Sequence, residues 1–180
     1  MLNPLSWLAR ASFVATVAFA SAAVPASANS GSKTTQVAYR IAGQDPVLID
    51  RQELSCMTEA LYYEARGEGT AGQRAVAEVI LNRVDHPRFP KSVCGVVNQR
   101  GQFSYHGRVT KNFRDRGAYE RVKRVAASAL AGAPRDLTNG ATYFHTRAVR
   151  PNWSNRFTRT ARIGAHVFYR TGGGQRLASN

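Results

Sequence analysis

The sequence predicts one α+β domain, in which helices come first and a small C-terminal antiparallel sheet follows. Residues 51–66, 70–84 and 118–131 carry apolar side chains at the three- and four-residue spacing of a buried helix face. Two later segments, residues 141–145 and 163–169, are rich in the β-branched and aromatic residues typical of strands. A 180-residue chain with 43% hydrophobic residues is long enough to bury a core of its own.

The first 28 residues have the composition of a secretory signal peptide. Arg10 is their only charged side chain, residues 11–24 are almost wholly small or apolar, and residues 26–28 (Ala-Ser-Ala) form a small-x-small cleavage site. Pro25 interrupts an apolar run that is short for a membrane span, and an uncleaved anchor is the alternative. We therefore expect an exported protein of the periplasm or cell envelope.

The rest of the chain divides into three parts. Residues 29–50 are polar and unpatterned, which predicts a flexible lead-in. Residues 51–170 contain the three helical patterns and both strand patterns, and they form the predicted folded domain. Residues 171–180 include three consecutive glycines at positions 172–174, which predicts a loose tail.

Glu64 is the leading candidate for acid–base chemistry. It follows Leu54, Met57 and Leu61 at helical spacing, so it falls on the apolar face of the first predicted helix. A carboxyl group in apolar surroundings has a raised pKa and can stay protonated near neutral pH, as a general acid must. The alternative is a surface position on a frayed last turn, where Arg66 neutralises the carboxylate.

The other acidic residues near this helix have simpler interpretations. Glu59 is predicted on the opposite, solvent-facing side of the helix, and Glu68 in the loop that follows. On the second helix, Arg74, Glu78 and Asn82 repeat every four residues, which indicates a solvated row.

Cys56 and Cys94 are the only cysteines. In an oxidising compartment an even number of cysteines most simply forms disulfides, so we predict one bond between them. Two buried free thiols are the alternative. A zinc or redox site has little support because the chain has no Cys-x-x-Cys pair.

Residues 98–116 form a long, aromatic and basic segment, and loops of this length inside a compact domain usually have a function. Aromatic rings and hydrogen-bonding side chains are the usual lining of a carbohydrate groove. The alternative for each aromatic residue is a place in the core. The candidates in this segment and in the C-terminal part are Gln102, Ser104, Tyr105, His145 and Trp153.

The chain is strongly basic, with 25 Lys and Arg against 11 Asp and Glu and a net charge of +14, or +13 without Arg10. These charges are scattered, with neither a basic helix nor an aromatic RNA-binding signature, and export removes access to nucleic acid. We expect a monomer with no nucleic-acid partner and a possible attraction to an anionic envelope surface. A noncatalytic envelope-binding module is an alternative to an enzyme.

Six strings along the predicted domain form a recognisable set. They are C-M-T-E-A-L-Y-Y-E-A-R-G-E from Cys56, G-Q-R-A-V-A-E-V-I-L-N-R-V from Gly72, F-P-K-S-V-C-G-V-V from Phe89, G-Q-F-S from Gly101, G-A-T-Y-F-H from Gly140 and I-G-A-H-V-F-Y from Ile163. Together they resemble the spore-cortex-lytic cell-wall hydrolase family, and the E-A-R-G-E string with N-R-V behind it is the most specific of them. The resemblance implies a lysozyme-like fold, peptidoglycan strands as substrate, and cleavage of the bond between N-acetylmuramic acid and N-acetylglucosamine. It also carries the family's catalytic glutamate onto Glu64, with Glu68 as second choice.

A second catalytic acid is missing from the pattern. After residue 78 the only acids are at positions 85, 115, 120 and 136, and none lies in an apolar pattern. Glycosidases ordinarily use two carboxyl groups, whereas lytic transglycosylases, which the family resembles, use one. We therefore expect Glu64 to act first as acid and then as base to give a 1,6-anhydro product, without a cofactor. Glu68, Arg66 or the Ser104 hydroxyl would position the substrate.

A zinc-dependent N-acetylmuramoyl-L-alanine amidase is the alternative enzyme. It would use the four histidines with a glutamate, but no pair has the His-x-x-x-His spacing of a helical zinc site, and we expect no metal. The histidines are His86, His106, His145 and His166.

Overall fold

A computed structural model of the chain describes residues 35–40, 45–103, 105 and 112–171. The predicted α+β class is confirmed, because four helices precede a three-stranded antiparallel sheet. The predicted signal peptide and almost all of the predicted tail lie outside the described residues. In chain order the elements are β1 (Gln36–Tyr39), β2 (Val47–Asp50), α1 (Arg51–Ala65), α2 (Thr70–Asp85), α3 (Val93–Val97), α4 (Arg116–Leu130), β3 (Tyr143–Thr146), a single 3-10 turn (Asn152–Asn155), β4 (Thr158–Ile163) and β5 (His166–Arg170).

The predicted flexible lead-in contains a hairpin. Strands β1 and β2 pair antiparallel, with Val37 opposite Ile49. Ile49 is 4% exposed and belongs to the hydrophobic core. Asp50 then caps α1, because its Oδ1 accepts hydrogen bonds from the backbone N–H groups of Gln52 (2.7 Å) and Glu53 (3.0 Å). The prediction of an unpatterned segment is therefore wrong for the described part of residues 36–50, where a short apolar strand reaches the core.

The helices pack around α1, which contacts α2, α3 and α4. The predicted helix ranges are confirmed within two residues at each end. Met57 and Leu61 of α1, Val76 and Ile80 of α2, and Val122 of α4 are fully buried. Burying each such side chain contributes roughly 1.5–3 kcal/mol to folding. No helix in the described ranges combines the length and apolarity needed to cross a membrane.

The predicted disulfide is present and joins α1 to α3. The Cα atoms of Cys56 and Cys94 are 5.2 Å apart across the bond. Beside it, the Glu53 carboxylate accepts hydrogen bonds from Val93 N (2.6 Å) and Cys94 N (3.2 Å). A five-residue helix such as α3 has little stability of its own, so these two ties to α1 fix its position.

The predicted solvated row on α2 is wrong for Glu78 and Asn82. Glu78 is 3% exposed, and its carboxylate accepts hydrogen bonds from Leu137 N (3.0 Å) and Thr138 N (2.9 Å). The Asn82 amide donates to Ala141 O at 3.0 Å. Helical spacing alone cannot distinguish a solvated polar row from one that binds another segment. Here the row binds residues 137–141, which lead into β3.

The C-terminal sheet has the strand order β3-β5-β4. The two predicted strands, β3 and β5, pair with each other, with Phe144 opposite Phe168. Strand β4 was not predicted, because its sequence (Thr-Arg-Thr-Ala-Arg-Ile) has few apolar residues and it forms an exposed edge. It pairs with the other side of β5 through a tight turn at Gly164, whose φ of +58° favours glycine.

The double substitution Cys56→Ser/Cys94→Ser is expected to lower the free energy of unfolding by about 4 kcal/mol, because the bond spans 38 residues and restricts the unfolded chain. Urea unfolding followed by circular dichroism measures this difference. A reductant should bring the wild type to the stability of the variant and leave the variant unchanged. Equal stability of the variant and the oxidised wild type would contradict the prediction.

Candidate active site

Glu64 lies in the last turn of α1 and is half-buried. The residues that precede it on the same face, Leu54, Met57 and Leu61, are 8%, 0% and 0% exposed. The predicted apolar face is therefore confirmed, and Glu64 lies at its outer end, where the core meets the surface. A carboxyl group at such a border contacts the protein on one side and can meet a ligand on the other.

Arg83 of α2 is the unexpected residue of this region. Its side chain is 3% exposed and its Nε donates a hydrogen bond to Thr142 O at 2.7 Å. The guanidinium carbon lies 5.4, 5.6 and 5.8 Å from the ring centroids of Phe89, Phe103 and Tyr143. Its Nη1 is buried without a hydrogen-bond partner. Aromatic faces attract a cation, so the rings partly replace the water that Arg83 loses.

The charge of Arg83 acts on Glu64. Burial lowers the pKa of Arg83 to about 10, whereas the charges of Tyr143 and Glu64 act to raise it. Arg83 therefore remains protonated at neutral pH. A nearby cation favours the charged form of a carboxyl group. Two influences therefore act on Glu64 in opposite directions. The apolar surroundings expected from the sequence favour the protonated carboxyl group, and the Arg83 cation favours the carboxylate.

Sequence reasoning missed Arg83, although the chain contains a signal for it. Val76, Val79 and Ile80 form the buried stripe of α2, and Arg83 follows them at the same spacing. An arginine that continues an apolar stripe is predicted to be buried, and a buried arginine needs partners.

Tyr105, one of the predicted groove residues, is 7% exposed and belongs to the hydrophobic core, which was the alternative for each aromatic residue. Its ring stacks on that of Tyr63, with centroids 4.6 Å apart and planes inclined by 25°. Burial raises the pKa of Tyr105, and the charges of Glu59, Glu64 and Tyr63 raise it further. Tyr105 therefore keeps its phenolic proton at neutral pH and can donate a hydrogen bond.

Glu59 is 8% exposed, so its predicted place on the solvent side is wrong. The reason is that the chain before α4 covers this side of α1. Backbone N–H groups of Asn112 and Asp115 donate to the hydroxyls of Tyr63 (3.2 Å) and Tyr62 (3.1 Å). Local spacing could not reveal a contact made more than forty residues later in the chain.

Glu68 is held by the turn between β4 and β5. Its two carboxylate oxygens lie 3.3 and 3.2 Å from Ala165 N. A Cβ atom on residue 164 would clash with this carboxylate, which explains the glycine there. Glu68 Oε1 is also 3.3 Å from Nδ1 of His166, within ion-pair distance although Nδ1 makes no hydrogen bond. Through these contacts Glu68 links the α1–α2 loop to the sheet.

His166 is 2% exposed on β5. Burial lowers its pKa, while Glu68 acts to raise it and His145 to lower it further. At neutral pH the imidazole is therefore uncharged, and Glu68 faces a neutral ring.

Two more of the predicted substrate-binding residues, Arg66 and Gln102, are exposed. The Arg66 guanidinium lies 5.0 Å from the ring centroid of Tyr62 and its side chain is exposed. Gln102 is exposed in a turn, where its backbone N–H donates to Gln99 O at 3.3 Å. Ser104 lies outside the described residues.

His145 and Trp153 lie together on the sheet. His145 stacks on Tyr169 with centroids 5.2 Å apart, and its Nε2 is 3.0 Å from the Tyr169 hydroxyl. The Trp153 ring is 5.6 Å from that of His145 and 5.5 Å from that of Tyr143. Because Tyr143 also faces the Arg83 guanidinium, this aromatic cluster adjoins the Glu64 region.

A cavity of about 470 Å³ opens beside Glu68, between the start of α2 and α4. Arg74 and Ser128 are among its lining residues, but Glu64 is not. The candidate site stays at Glu64, which the helix pattern and the string resemblance indicate, and Glu68 beside this cavity stays the second choice.

Among the described residues, no group of three or more His, Cys, Asp or Glu side chains is arranged to hold a metal ion. His86 ends α2, and its Nδ1 accepts a hydrogen bond from Arg88 N at 3.2 Å. His106 lies outside the described ranges.

A family profile matches most of the folded part of the chain. A profile described as Cell Wall Hydrolase matches residues 67–169, more than half of the chain. The chain belongs to the cell wall hydrolase family. This confirms the family that the sequence strings predicted. The matched region contains Glu68 and begins just after Glu64.

Spore cortex-lytic enzymes are among the relatives of this cell wall hydrolase. The enzyme of Halalkalibacterium halodurans is 37% identical over 126 residues, which cover 68% of this chain and 36% of the relative. The Bacillus subtilis enzyme is 31% identical over 131 residues, which cover 71% of this chain and 41% of the relative. The chain thus spans less than half the length of either relative.

Two solved structures have a similar fold. The catalytic domain of the Bacillus cereus SleB protein aligns with a TM-score of 0.56 and 31% identity, covering 67% of this chain and 91% of that domain. The catalytic domain of the germination-specific lytic transglycosylase SleB from Bacillus anthracis aligns with a TM-score of 0.57 and 31% identity, covering 68% and 97%.

The buried neutral imidazole of His166 predicts acid sensitivity. Its folded-state pKa lies below the ordinary value of 6.5, so the unfolded chain binds the proton more tightly. The contribution of His166 to stability is therefore fully present above pH 6.5 and is lost as the pH falls towards the folded-state value. In His166→Asn, the difference in unfolding free energy between pH 7.5 and pH 5.5 should be smaller than in the wild type.

Urea unfolding at the two pH values tests this prediction. His86→Asn is the matched control, because it removes a histidine and leaves the Glu68–His166 contact in place. The same pH dependence in His166→Asn and wild type would show that His166 does not cause it.

Proposed function

We propose that this cell wall hydrolase cleaves the glycosidic bond between N-acetylmuramic acid and N-acetylglucosamine in peptidoglycan. In this proposal it is a lytic transglycosylase, with Glu64 as general acid and base. The main support is the position of Glu64 at the outer end of an apolar helix face, within electrostatic reach of protonated Arg83 and neutral Tyr105. Similarity to a structure described as a lytic transglycosylase gives independent support.

In the first step the protonated carboxyl group of Glu64 donates its proton to the glycosidic oxygen. The bond between that oxygen and the muramyl C1 breaks, and N-acetylglucosamine leaves with a new hydroxyl group. Positive charge develops at C1, and Glu64 is left as a carboxylate. Arg83 stabilises that carboxylate, because its cation is fixed in place before the reaction begins.

In the second step the C6 hydroxyl of the same muramyl residue attacks C1. The new bond from O6 to C1 closes a 1,6-anhydro ring, and the hydroxyl proton moves to the Glu64 carboxylate. No water is consumed, and Glu64 is again protonated. One carboxyl group therefore serves both steps, which fits the absence of a second acid from the apolar patterns of the sequence.

The aromatic and polar residues near Glu64 are proposed to bind the glycan. Trp153 and His145 offer ring faces to pyranose rings. Tyr105 is buried, so in this proposal it acts on Glu64 and does not contact the sugar. Arg66, Gln102 and Ser104 remain candidates from the sequence. For Glu68 the contacts to Ala165 and His166 favour a positioning role over direct contact with substrate.

The proposed site of action is the periplasm or cell envelope. This part of the proposal depends on residues 1–28, whose composition is that of a secretory signal peptide.

Glu64→Gln is expected to lower the rate of glycan cleavage by roughly 10²–10⁴-fold, because the amide cannot deliver the proton. Purified protein is incubated with peptidoglycan sacculi, and the released muropeptides are identified by mass spectrometry. The wild type should release 1,6-anhydro ends. Glu120→Gln, an exposed carboxylate on α4, is the control and should keep full activity.

Several outcomes would contradict the assignment. Reducing muramyl ends would exclude the transglycosylase reaction, and cleavage between muramic acid and alanine would indicate an amidase. Full activity of Glu64→Gln, with loss of activity in Glu68→Gln, would move the catalytic role to Glu68. Binding to sacculi without any released product would support a noncatalytic module.

Substitution of Arg83 should change the pH dependence of the reaction. Without the cation, Glu64 holds its proton to higher pH. In Arg83→Gln the fall in rate on the alkaline side of the pH profile should therefore occur at a higher pH than in the wild type. Arg83→Lys keeps the charge and should keep the profile, although its rate falls because the hydrogen bond to Thr142 is lost. An unchanged profile in a folded Arg83→Gln protein would exclude this role.

A further inference from the structure

The outer face of the C-terminal sheet carries a groove of about 420 Å³, here called the arginine groove. Strand pairing determines which residues reach it. Phe144 and Phe168 pair on one face, and side chains alternate along a strand, so His145 and Tyr169 lie on the other face. Six of the lining residues define this groove: His145, Arg147, Val149, Arg150, Arg159 and Tyr169.

The groove is positively charged. Arg147, Arg150 and Arg159 line it and are exposed, and no acidic residue lies among the lining residues. None of the three forms an ion pair within the part of the chain that the structure describes. By contrast, Arg135 pairs with Asp85 at 2.6 Å elsewhere on the surface. Arg150 Nη2 donates to Asn155 Oδ1 at 3.3 Å, but no carboxylate of the described residues pairs with these guanidinium groups. A guanidinium group can bind a carboxylate through two parallel hydrogen bonds.

The groove also has apolar and aromatic walls. Val149 is one of the exposed large hydrophobic residues, at 53% exposure. His145 and Tyr169 form a stacked pair, with centroids 5.2 Å apart, and both line the groove. A ligand with several negative charges on a partly apolar frame, such as an acidic peptide, fits this combination better than an isolated small anion.

The groove adjoins the proposed catalytic site. Tyr143 is the strand partner of Tyr169, which lines the groove, and its ring centroid lies 5.8 Å from the guanidinium carbon of Arg83. Arg83 in turn interacts electrostatically with Glu64. A ligand that extends from the Glu64 region across Tyr143 would therefore enter the groove.

We propose that the arginine groove binds the acidic stem peptide carried by the muramyl residue at the cleaved bond. This inference rests on the proposed function, because the peptide is attached to the sugar that Glu64 would act on. The carboxylates of the peptide pair with Arg147, Arg150 and Arg159, and its aliphatic parts contact Val149. The groove thus gives preference to peptide-bearing glycan over bare glycan.

The triple variant Arg147→Gln/Arg150→Gln/Arg159→Gln tests the proposal. Its kcat/KM on peptide-bearing glycan should fall by roughly 10-fold or more, about the effect of losing one charge-assisted hydrogen bond. Its kcat/KM on glycan stripped of peptides by an amidase should remain that of the wild type. The control is Arg116→Gln/Arg121→Gln/Lys123→Gln on α4, which removes the same charge and should leave both values unchanged.

Direct binding separates this proposal from the proposed function. A soluble stem tetrapeptide is titrated into the Glu64→Gln protein by calorimetry, with and without the groove substitutions. Binding that the groove substitutions abolish would support the groove even if the wild type cleaved no glycan. Thermal unfolding checks that the triple variant is folded. If it is not folded, the single variants Arg147→Gln and Arg150→Gln are measured in its place.

Four results would overturn the proposal. Equal losses in the groove and control variants would indicate an effect of net charge alone. An equal loss on stripped and peptide-bearing glycan would show that the groove serves the glycan or the fold. Unchanged tetrapeptide binding in a folded groove variant, or groove-dependent binding of a phosphate polymer in place of the peptide, would assign the arginines another role or another partner.

Discussion

A protonated guanidinium lies inside this domain where the helices meet the C-terminal sheet. Arg83 donates a hydrogen bond to Thr142 just before β3, and its charge faces three aromatic rings and Glu64. A buried charge without partners costs several kcal/mol or more, so the carbonyl, the rings and the carboxylate must remain around it. The residue whose charge interacts with Glu64 is therefore the same one that joins α2 to the segment before β3.

Other glutamates tie the fold together through backbone N–H groups. Glu53 fixes the start of α3, Glu78 fixes the segment before β3, and Glu68 holds the β4–β5 turn. Each tie joins parts of the chain that are at least 40 residues apart. Glu64 interacts electrostatically with a cation and with a neutral phenol. These surroundings support its proposed assignment as the residue that transfers protons.

The two faces of the sheet have different roles. Phe144 and Phe168 complete the core on one face, whereas aromatic and basic residues cover the other. The proposed catalytic site and the arginine groove both adjoin Tyr143, so one surface could contact the sugar and its attached peptide together. Strand β4 contributes Arg159 to this surface. Its high charge made it hard to predict, although it makes the groove basic.

The sequence by itself determined the three long helices, strands β3 and β5, the disulfide and the family, because these depend on local periodicity, cysteine number and recognisable strings. It also placed Glu64 on an apolar face. Only the tertiary structure decided which polar residues are buried, because Glu59, Glu78 and Arg83 acquire their surroundings from segments far away in the chain. Helical spacing shows which face a side chain occupies, but what covers that face depends on long-range packing.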